Sequence, residues 1–202
     1  MRALPALALV LAAPALAQAP AAEVTVYDAE WATEELASDE VFVGCSLGCA
    51  LGWDLVVSSH LPAQGDNRYD ASQLEDASAR TAWVEGADGP GVGEALTFRL
   101  VGDPQHDVGA VQFSGFRVVN GYAKTEDVWR WNGRVRGVVV LVNGRSAGRA
   151  ELADTMDPQW VALAEPPQIE AGDVVTIVVA SVYPGERYDD TALSEVVLDG
   201  AH

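Results

Sequence analysis

Lysine is almost missing from this chain: Lys124 is the only one in 202 residues. Histidine occurs three times (His60, His106 and His202), cysteine twice, and all lysines and arginines together number 12 against 30 acids. A formal charge of −18 repels polyphosphates and anionic lipids, which argues against nucleic acid and acidic membrane surfaces as partners. The scattered histidines offer no metal-binding spacing, and the chain lacks a Gly-x-Ser-x-Gly elbow and a phosphate-binding loop. No stretch is long and apolar enough to span a bilayer, which takes roughly 20 apolar residues. Acid pairs such as Glu34-Glu35 and Asp189-Asp190 are what an acidic surface produces without catalysis. The expectation is therefore a non-enzyme.

What is present begins with an export signal. Met1-Arg2 leads into the apolar run Ala3–Ala13, and the small residues Ala15 and Ala17 follow. This is the pattern of a signal peptide over residues 1–17, cleaved before Gln18; cleavage after Ala19 is disfavoured by Pro20. The mature protein is expected in the periplasm or secreted. In such an oxidising compartment Cys45 and Cys49, flanked by Gly44 and Gly48, are expected to form a disulfide. Three residues separate them, one more than in a thioredoxin-type redox pair.

With 49% hydrophobic residues the chain can build a core. Residues 18–40 are rich in alanine and acid and read as an N-terminal linker, with Tyr27 and Trp31 spaced for a short helix. From residue 41 to 200 the pattern is one of short β-type runs separated by turn residues. They are 53–58, 81–85, 95–101, 109–119, 135–142, 160–164, 174–182 and 193–198. Asn143-Gly144 after Val138–Val142 is a two-residue hairpin signal. These features predict one all-β domain, an antiparallel sandwich or barrel.

Charge is unevenly spread. Residues 18–116 hold 17 acids and 3 arginines, residues 150–202 hold 11 acids and 1 arginine, and residues 117–149 hold 7 bases and 2 acids. That basic segment is either a binding surface or the partner of the chain's own acidic loops. It also carries the aromatic block Asn120-Gly121-Tyr122-Ala123-Lys124 through Trp129-Arg130-Trp131-Asn132-Gly133-Arg134. A second block is Trp83-Val84-Glu85-Gly86 with the glycine-rich 89–94, and a third runs from Ser181 to Thr191. Flat aromatic faces beside amides, arginine and carboxylates suit sugar recognition. Trp83 and Trp160 read instead as core. Trp129 and Trp131 share a strand-period face, and Trp131 is open between rim packing and a ligand platform. Arg134 could equally pair with an acidic loop, and Asn120-Gly121 and Tyr183-Pro184-Gly185 have turn chemistry of their own.

Six blocks occur in the order of a known family: Thr81–Gly86, Gly91–Glu94, Asn120–Lys124, Asn132–Val135, Leu152–Thr155, and Ser181–Gly185 with Asp190–Glu195. Over about Cys45 to Leu198 the sequence resembles the NADase-type glycan-binding domain, a discoidin-like module known as the translocation domain of streptococcal NAD glycohydrolase. The resemblance implies a galactose-binding-like jelly-roll β-sandwich with a non-catalytic, glycan-binding role. It implies neither NAD as a cofactor nor NAD hydrolysis, an activity of a separate domain. It also implies a structural Ca²⁺ held by Asp76, Thr81 and Glu195, with Ala77 and Ser78 departing from the usual glycine and second acid.

The reading is an exported carbohydrate-binding module using loops at one end of the sandwich. Its expected contacts are Glu85, Asn120, Tyr122, Lys124, Trp131, Asn132, Arg134, Tyr183 and Tyr188. Two alternatives stand beside it. One is an envelope protein-interaction or structural domain docking a basic partner. The other is a small glycan hydrolase using acids such as Glu85 and Asp189.

Overall fold

The computed structural model describes residues 19–26, 47–102 and 108–201. The expected signal peptide (1–17) and Cys45, half of the expected disulfide, lie outside them. Eleven strands are present in the described residues: β1 (Glu23–Val26), β2 (Leu51–Val57), β3 (Trp83–Val84), β4 (Ala95–Gly102), β5 (Val111–Asn120), β6 (Gly133–Val142), β7 (Arg145–Glu151), β8 (Gln159–Ala162), β9 (Gln168–Ile169), β10 (Val174–Tyr183) and β11 (Thr191–Ala201). One short helix, α1 (Glu126–Trp131), lies between β5 and β6. All eight runs expected from the sequence are strands.

The strands form two layers. In one the order is β2-β4-β10-β6-β7; in the other it is β1-β8-β5-β11, with β9 on β5 and β3 on β11. Pairing is antiparallel except where β11 meets β6, with Thr191 opposite Gly133 and Ala192 opposite Arg134. That two-residue parallel contact joins the layers at one end, where the loop-rich blocks gather. The fold is the expected all-β sandwich.

Alternation places Leu96, Phe98 and Leu100 of β4 in the core with Val175, Ile177 and Val179 of β10, facing Phe113, Phe116, Val196 and Leu198. Irregularities re-phase three strands. Phe113 and Phe116 both point inward because the β5–β11 register shifts at Asp199/Gly200. Val135 and Val138 do so because β6 and β10 slip at Ser181. These are the local effects of bulges. Gly115 sits in the first irregularity at φ 147°, and a Cβ there would fall 1.9 Å from the Val161 carbonyl oxygen. Only glycine lets β8 approach that closely.

Asn143 (φ 50°) and Gly144 (φ 75°) form the expected tight turn between β6 and β7. The expected linker contains β1 within its described part. Ala22 N–H donates to Arg149 O (2.8 Å) and Arg149 N–H to Pro20 O (2.9 Å), tying this segment to the edge strand β7. Residues 23–26 then pair with β8. The segment thus covers β7 and β8, leaving the four-residue β1 as the outer strand of its layer. Four residues of weak alternation gave no signal of this.

A second difference concerns Trp129 and Trp131, which lie on α1 and not on a strand. Local chemistry explains it. Thr125 is an extended N-cap whose hydroxyl accepts from Val128 N–H (3.2 Å), Glu126 and Asp127 occupy the first turn, and Arg130 the last.

Candidate functional site

The loops at the joined end are built around Asn120 and Arg134. Asn120, the last residue of β5, is fully buried. Its amide donates to Val135 O (2.7 Å) and accepts from Val135 N–H (3.0 Å), and its main-chain oxygen accepts from Trp129 Nε1 (2.8 Å). The side chain supplies the pairing that β5 and β6 do not make directly. Arg134, 7% exposed, makes a bidentate pair with Asp154: Nε to Oδ1 and Nη2 to Oδ2, both 2.9 Å. Its Nη1 donates to Asn132 O and Pro184 O, each at 3.0 Å, and the guanidinium lies 4.7 Å from the Trp129 ring centre.

Asn132 closes α1 by donating from its amide to Val128 O (2.8 Å). Arg130 pairs across the exposed helix face with Glu126 and Asp127. The loop after β10 then wraps the helix end. Glu186 N–H donates to Arg130 O (2.9 Å), and Arg187 and Tyr188 N–H donate to Trp131 O (3.2 and 2.8 Å). Gly185 permits this, since a Cβ there would meet the oxygens of Tyr188 and Trp131 at 2.4 and 2.5 Å. The product is a stack: the Arg187 guanidinium lies 5.4 Å from the Trp131 ring and 5.1 Å from the Tyr188 ring. Trp131 is half-buried and Tyr188 exposed.

The expected contact residues therefore divide. Lys124 and Tyr188 are exposed, and Trp131, Asn132 and Tyr183 are half-buried. Tyr183 spends its hydroxyl on Leu152 O (2.9 Å). Tyr122 is buried edge-on to Tyr69 (6.5 Å), and that burial pushes its phenol pKa up. Glu85 has no exposed surface: Oε2 accepts from Ala87 N–H (2.7 Å), while Oε1 has no partner under Gly91. Burial raises its pKa, with the charges of Asp190 and Glu94 adding to the effect. Glu85, Asn120, Tyr122 and Arg134 thus hold the loops from inside. The sequence did not single out Arg187 or Asp154. Each sits in a quoted block, but their contacts join segments distant in sequence.

The residues expected to hold calcium also converge. Asp76 Oδ1 accepts from Ser78 N–H (3.1 Å), and Thr81 Oγ1 lies 2.9 and 2.7 Å from the two Asp76 oxygens. Ala77 adopts φ 57°, the conformation a glycine would take there. Glu195, on β11, is 1% exposed, and its Oε2 has no partner. Burial, with the charges of Asp76 and Glu75, pushes its pKa up to about 9, although Ala77 and Ser78 N–H groups donate to it. A buried carboxyl with an orphaned oxygen beside a second carboxylate lacks positive charge. That chemistry fits a hard cation completed by backbone oxygens. Among the described residues no group of three or more His, Cys, Asp or Glu could hold a metal, so side chains alone do not suffice.

With this geometry established, two likenesses are informative. Residues 50–199 match the family described as the NAD glycohydrolase translocation F5/8 type C domain. No curated protein matches the chain in sequence. Among solved structures, the CBM32-1 and CBM32-2 domains of Clostridium perfringens ZmpB, in complex with GalNAc, are similar with TM-score 0.56 at 9% identity, over 91% of this chain and 40% of that one. The C. perfringens module CpGH89CBM32-5, in complex with GalNAc-β-1,3-galactose, gives 0.52 at 14% identity, over 73% and 94%. The mycobacterial arabinofuranosyltransferase AftD gives 0.53 at 16% identity, over 74% of this chain and 11% of that one. At these identities the likeness is one of fold: the sandwich of carbohydrate-binding modules.

Arg134→Ala is expected to cost about 3 kcal/mol, because it empties a buried stack and frees two carbonyls and a carboxylate. Urea unfolding checks this; an unchanged midpoint would show that Arg134 is dispensable to the fold. The second prediction concerns pH. Glu195 binds its proton more tightly folded than unfolded, so with chelator present its contribution to stability is full below about pH 4.5. It then falls by at most about 1.4 kcal/mol per pH unit up to about pH 9. Glu195→Gln should flatten that slope in denaturation curves taken across the range.

Proposed function

Because the chain belongs to the NAD glycohydrolase translocation F5/8 type C domain family, we propose that it is an exported module that binds glycan through the loops around α1, without catalysis. The observation that carries this reading is the Trp131–Arg187–Tyr188 stack, with Arg187 and Tyr188 exposed and Trp131 half-buried, held by main-chain bonds from the 184–188 loop to the end of α1. Aromatic rings offer area to sugar C–H faces at low entropy cost, and amide and guanidinium N–H groups fix the hydroxyls. The GalNAc and GalNAc-galactose complexes of two similar structures add support from the fold. Trp131, Tyr188, Asn132 and Lys124 are the contacts proposed. Glu85, Asn120, Tyr122 and Arg134 act through the loops they hold, and Tyr183 steadies the rim.

Calcium enters as a structural ion. Asp76, Glu195 and the Thr81 hydroxyl would hold it together with carbonyls of the 75–81 loop, and its charge would supply what Glu195 lacks. Export fits the N-terminal contacts: those to β7 start at Pro20, so cleavage before Gln18 spares them. The proposed disulfide, Cys45–Cys49, would close the loop ahead of β2.

A glycan array of the mature protein, run with calcium and with chelator, tests the binding role. Trp131→Ala and Tyr188→Ala are expected to weaken any glycan captured at least tenfold while moving the melting temperature by no more than about 2 °C. A folded protein that captures no glycan sinks the reading. Calcium is expected to raise the melting temperature of the wild type and not of Glu195→Gln; equal shifts would remove Glu195 from the ion site. The intact mass of the exported chain should begin at Gln18 with two hydrogens fewer than the reduced form, and a longer or fully reduced chain would refute these two points.

A further inference from the structure

The glycan reading says nothing of what kind of sugar the stack takes, and Arg187 bears on that. The neighbouring arginines are spoken for: Arg130 pairs with Glu126 and Asp127, Arg134 with Asp154, and Arg136 with Glu151. Arg187 has no such partner among the described residues, although Glu186, Asp189 and Asp190 are close to it in the chain. None of these three acids forms an ion pair with it among the described residues.

The geometry leaves one part of Arg187 open. Trp131 and Tyr188 lie 5.4 and 5.1 Å from the guanidinium and occupy its surroundings by cation–π contact. Its N–H groups meet no acceptor among the described residues. An arginine whose orientation is set by rings, and whose planar fork of donors is unused, matches a carboxylate bidentately. A flexible surface arginine would lose more freedom on binding; this one is already restricted by the 184–188 loop. In a chain with 30 acids and 12 bases, an exposed guanidinium left without a carboxylate is one that a carboxylate can still reach.

We propose that Arg187, clamped between Trp131 and Tyr188, is the specificity-determining residue of the site and that it selects glycans bearing a carboxylate, such as uronic or sialic acids. This rests on the glycan reading above and adds the ligand's charge to it. The surrounding acids act on the same choice: they disfavour densely charged polymers, so a carboxylate spaced by neutral sugars suits the site better than a run of charges.

The experiment titrates the full mature chain with two pairs of probes, sialyllactose against lactose and an oligogalacturonide against its carboxyl-reduced form, following tryptophan fluorescence. The wild type is expected to bind the acidic member of at least one pair tenfold or more tightly. Arg187→Gln should abolish that preference, and Arg187→Lys should recover only part of it, since it keeps the charge and loses the fork. Raising the salt to about 0.5 M should shrink the preference as the pair is screened. If the neutral members bind equally well, and Trp131→Ala removes that binding, the carboxylate inference fails while the glycan reading stands. A preference that survives in Arg187→Gln overturns the inference as well. If neither member of either pair binds and the array is also blank, both fall together.

Discussion

The joined end of the sandwich depends on one guanidinium. Arg134 meets four partners in directions that only a planar set of donors can satisfy: two oxygens of Asp154, the carbonyl of Asn132 and the carbonyl of Pro184. These belong to the loop before β8, the exit of α1 and the turn after β10, while the arginine itself opens β6. Trp129 covers one face of the same group, and its indole nitrogen reaches back to Asn120. A lysine could not replace this arrangement, because a point charge with three donors fixes neither the plane nor the stack. Burying the charge is tolerable because each of these contacts is charge-assisted or directed, and because Asp154 keeps part of its hydration, with its side chain 37% exposed.

Buried polar groups at this end therefore produce rigidity, and the surface left outside them is aromatic. Asn120 replaces missing strand pairing, Arg134 locks the loops together, and Tyr122 packs on Tyr69 beneath the turn. Main-chain bonds from the 184–188 loop then set Trp131, Arg187 and Tyr188 in register. A site assembled this way is ordered before any ligand arrives, so less of the interaction energy goes to ordering loops.

The sequence made the sandwich legible because its strands carry their own signals: β-branched alternation, glycine-bounded runs and the Asn143-Gly144 turn. Elements without such signals were not legible. β1 is four residues long and earns its place only by pairing with β8, and β9 is a two-residue contact on β5. The helix at Glu126–Trp131 hid behind the spacing of two tryptophans, although Thr125 and its following acids were its cap. In the site, residue types were legible and their direction was not. Whether the basic stretch 117–149 faces a ligand or its own acids depends on which loops meet. The fold answers it for four of the seven bases: Arg117, Arg130, Arg134 and Arg136 pair within the chain, while Lys124, Arg145 and Arg149 are exposed without an ion pair among the described residues. Arg187, which has no ion pair among the described residues, lies outside that stretch and looked like part of an acidic run.

Glu195 is the counterpart of Arg134, a buried carboxyl with one unpartnered oxygen, and hydrogen bonds link the two regions. Ser194, next to it on β11, accepts from Ala123 N–H (2.9 Å) and donates to Ala79 O (3.2 Å), so it links the 75–81 loop to the turn that leads into α1. A proton removes the charge of Glu195; the proposed cation would balance it together with Asp76 and engage the loop's oxygens besides. The proposed cation would hold the loop more firmly than a proton, because it gains ligands where a proton only cancels a repulsion. Two electrostatic settlements thus lie behind the loops of this end, Arg134 with Asp154 and Glu195 with a proton or the proposed cation. Only the first is completed by side chains of the chain itself.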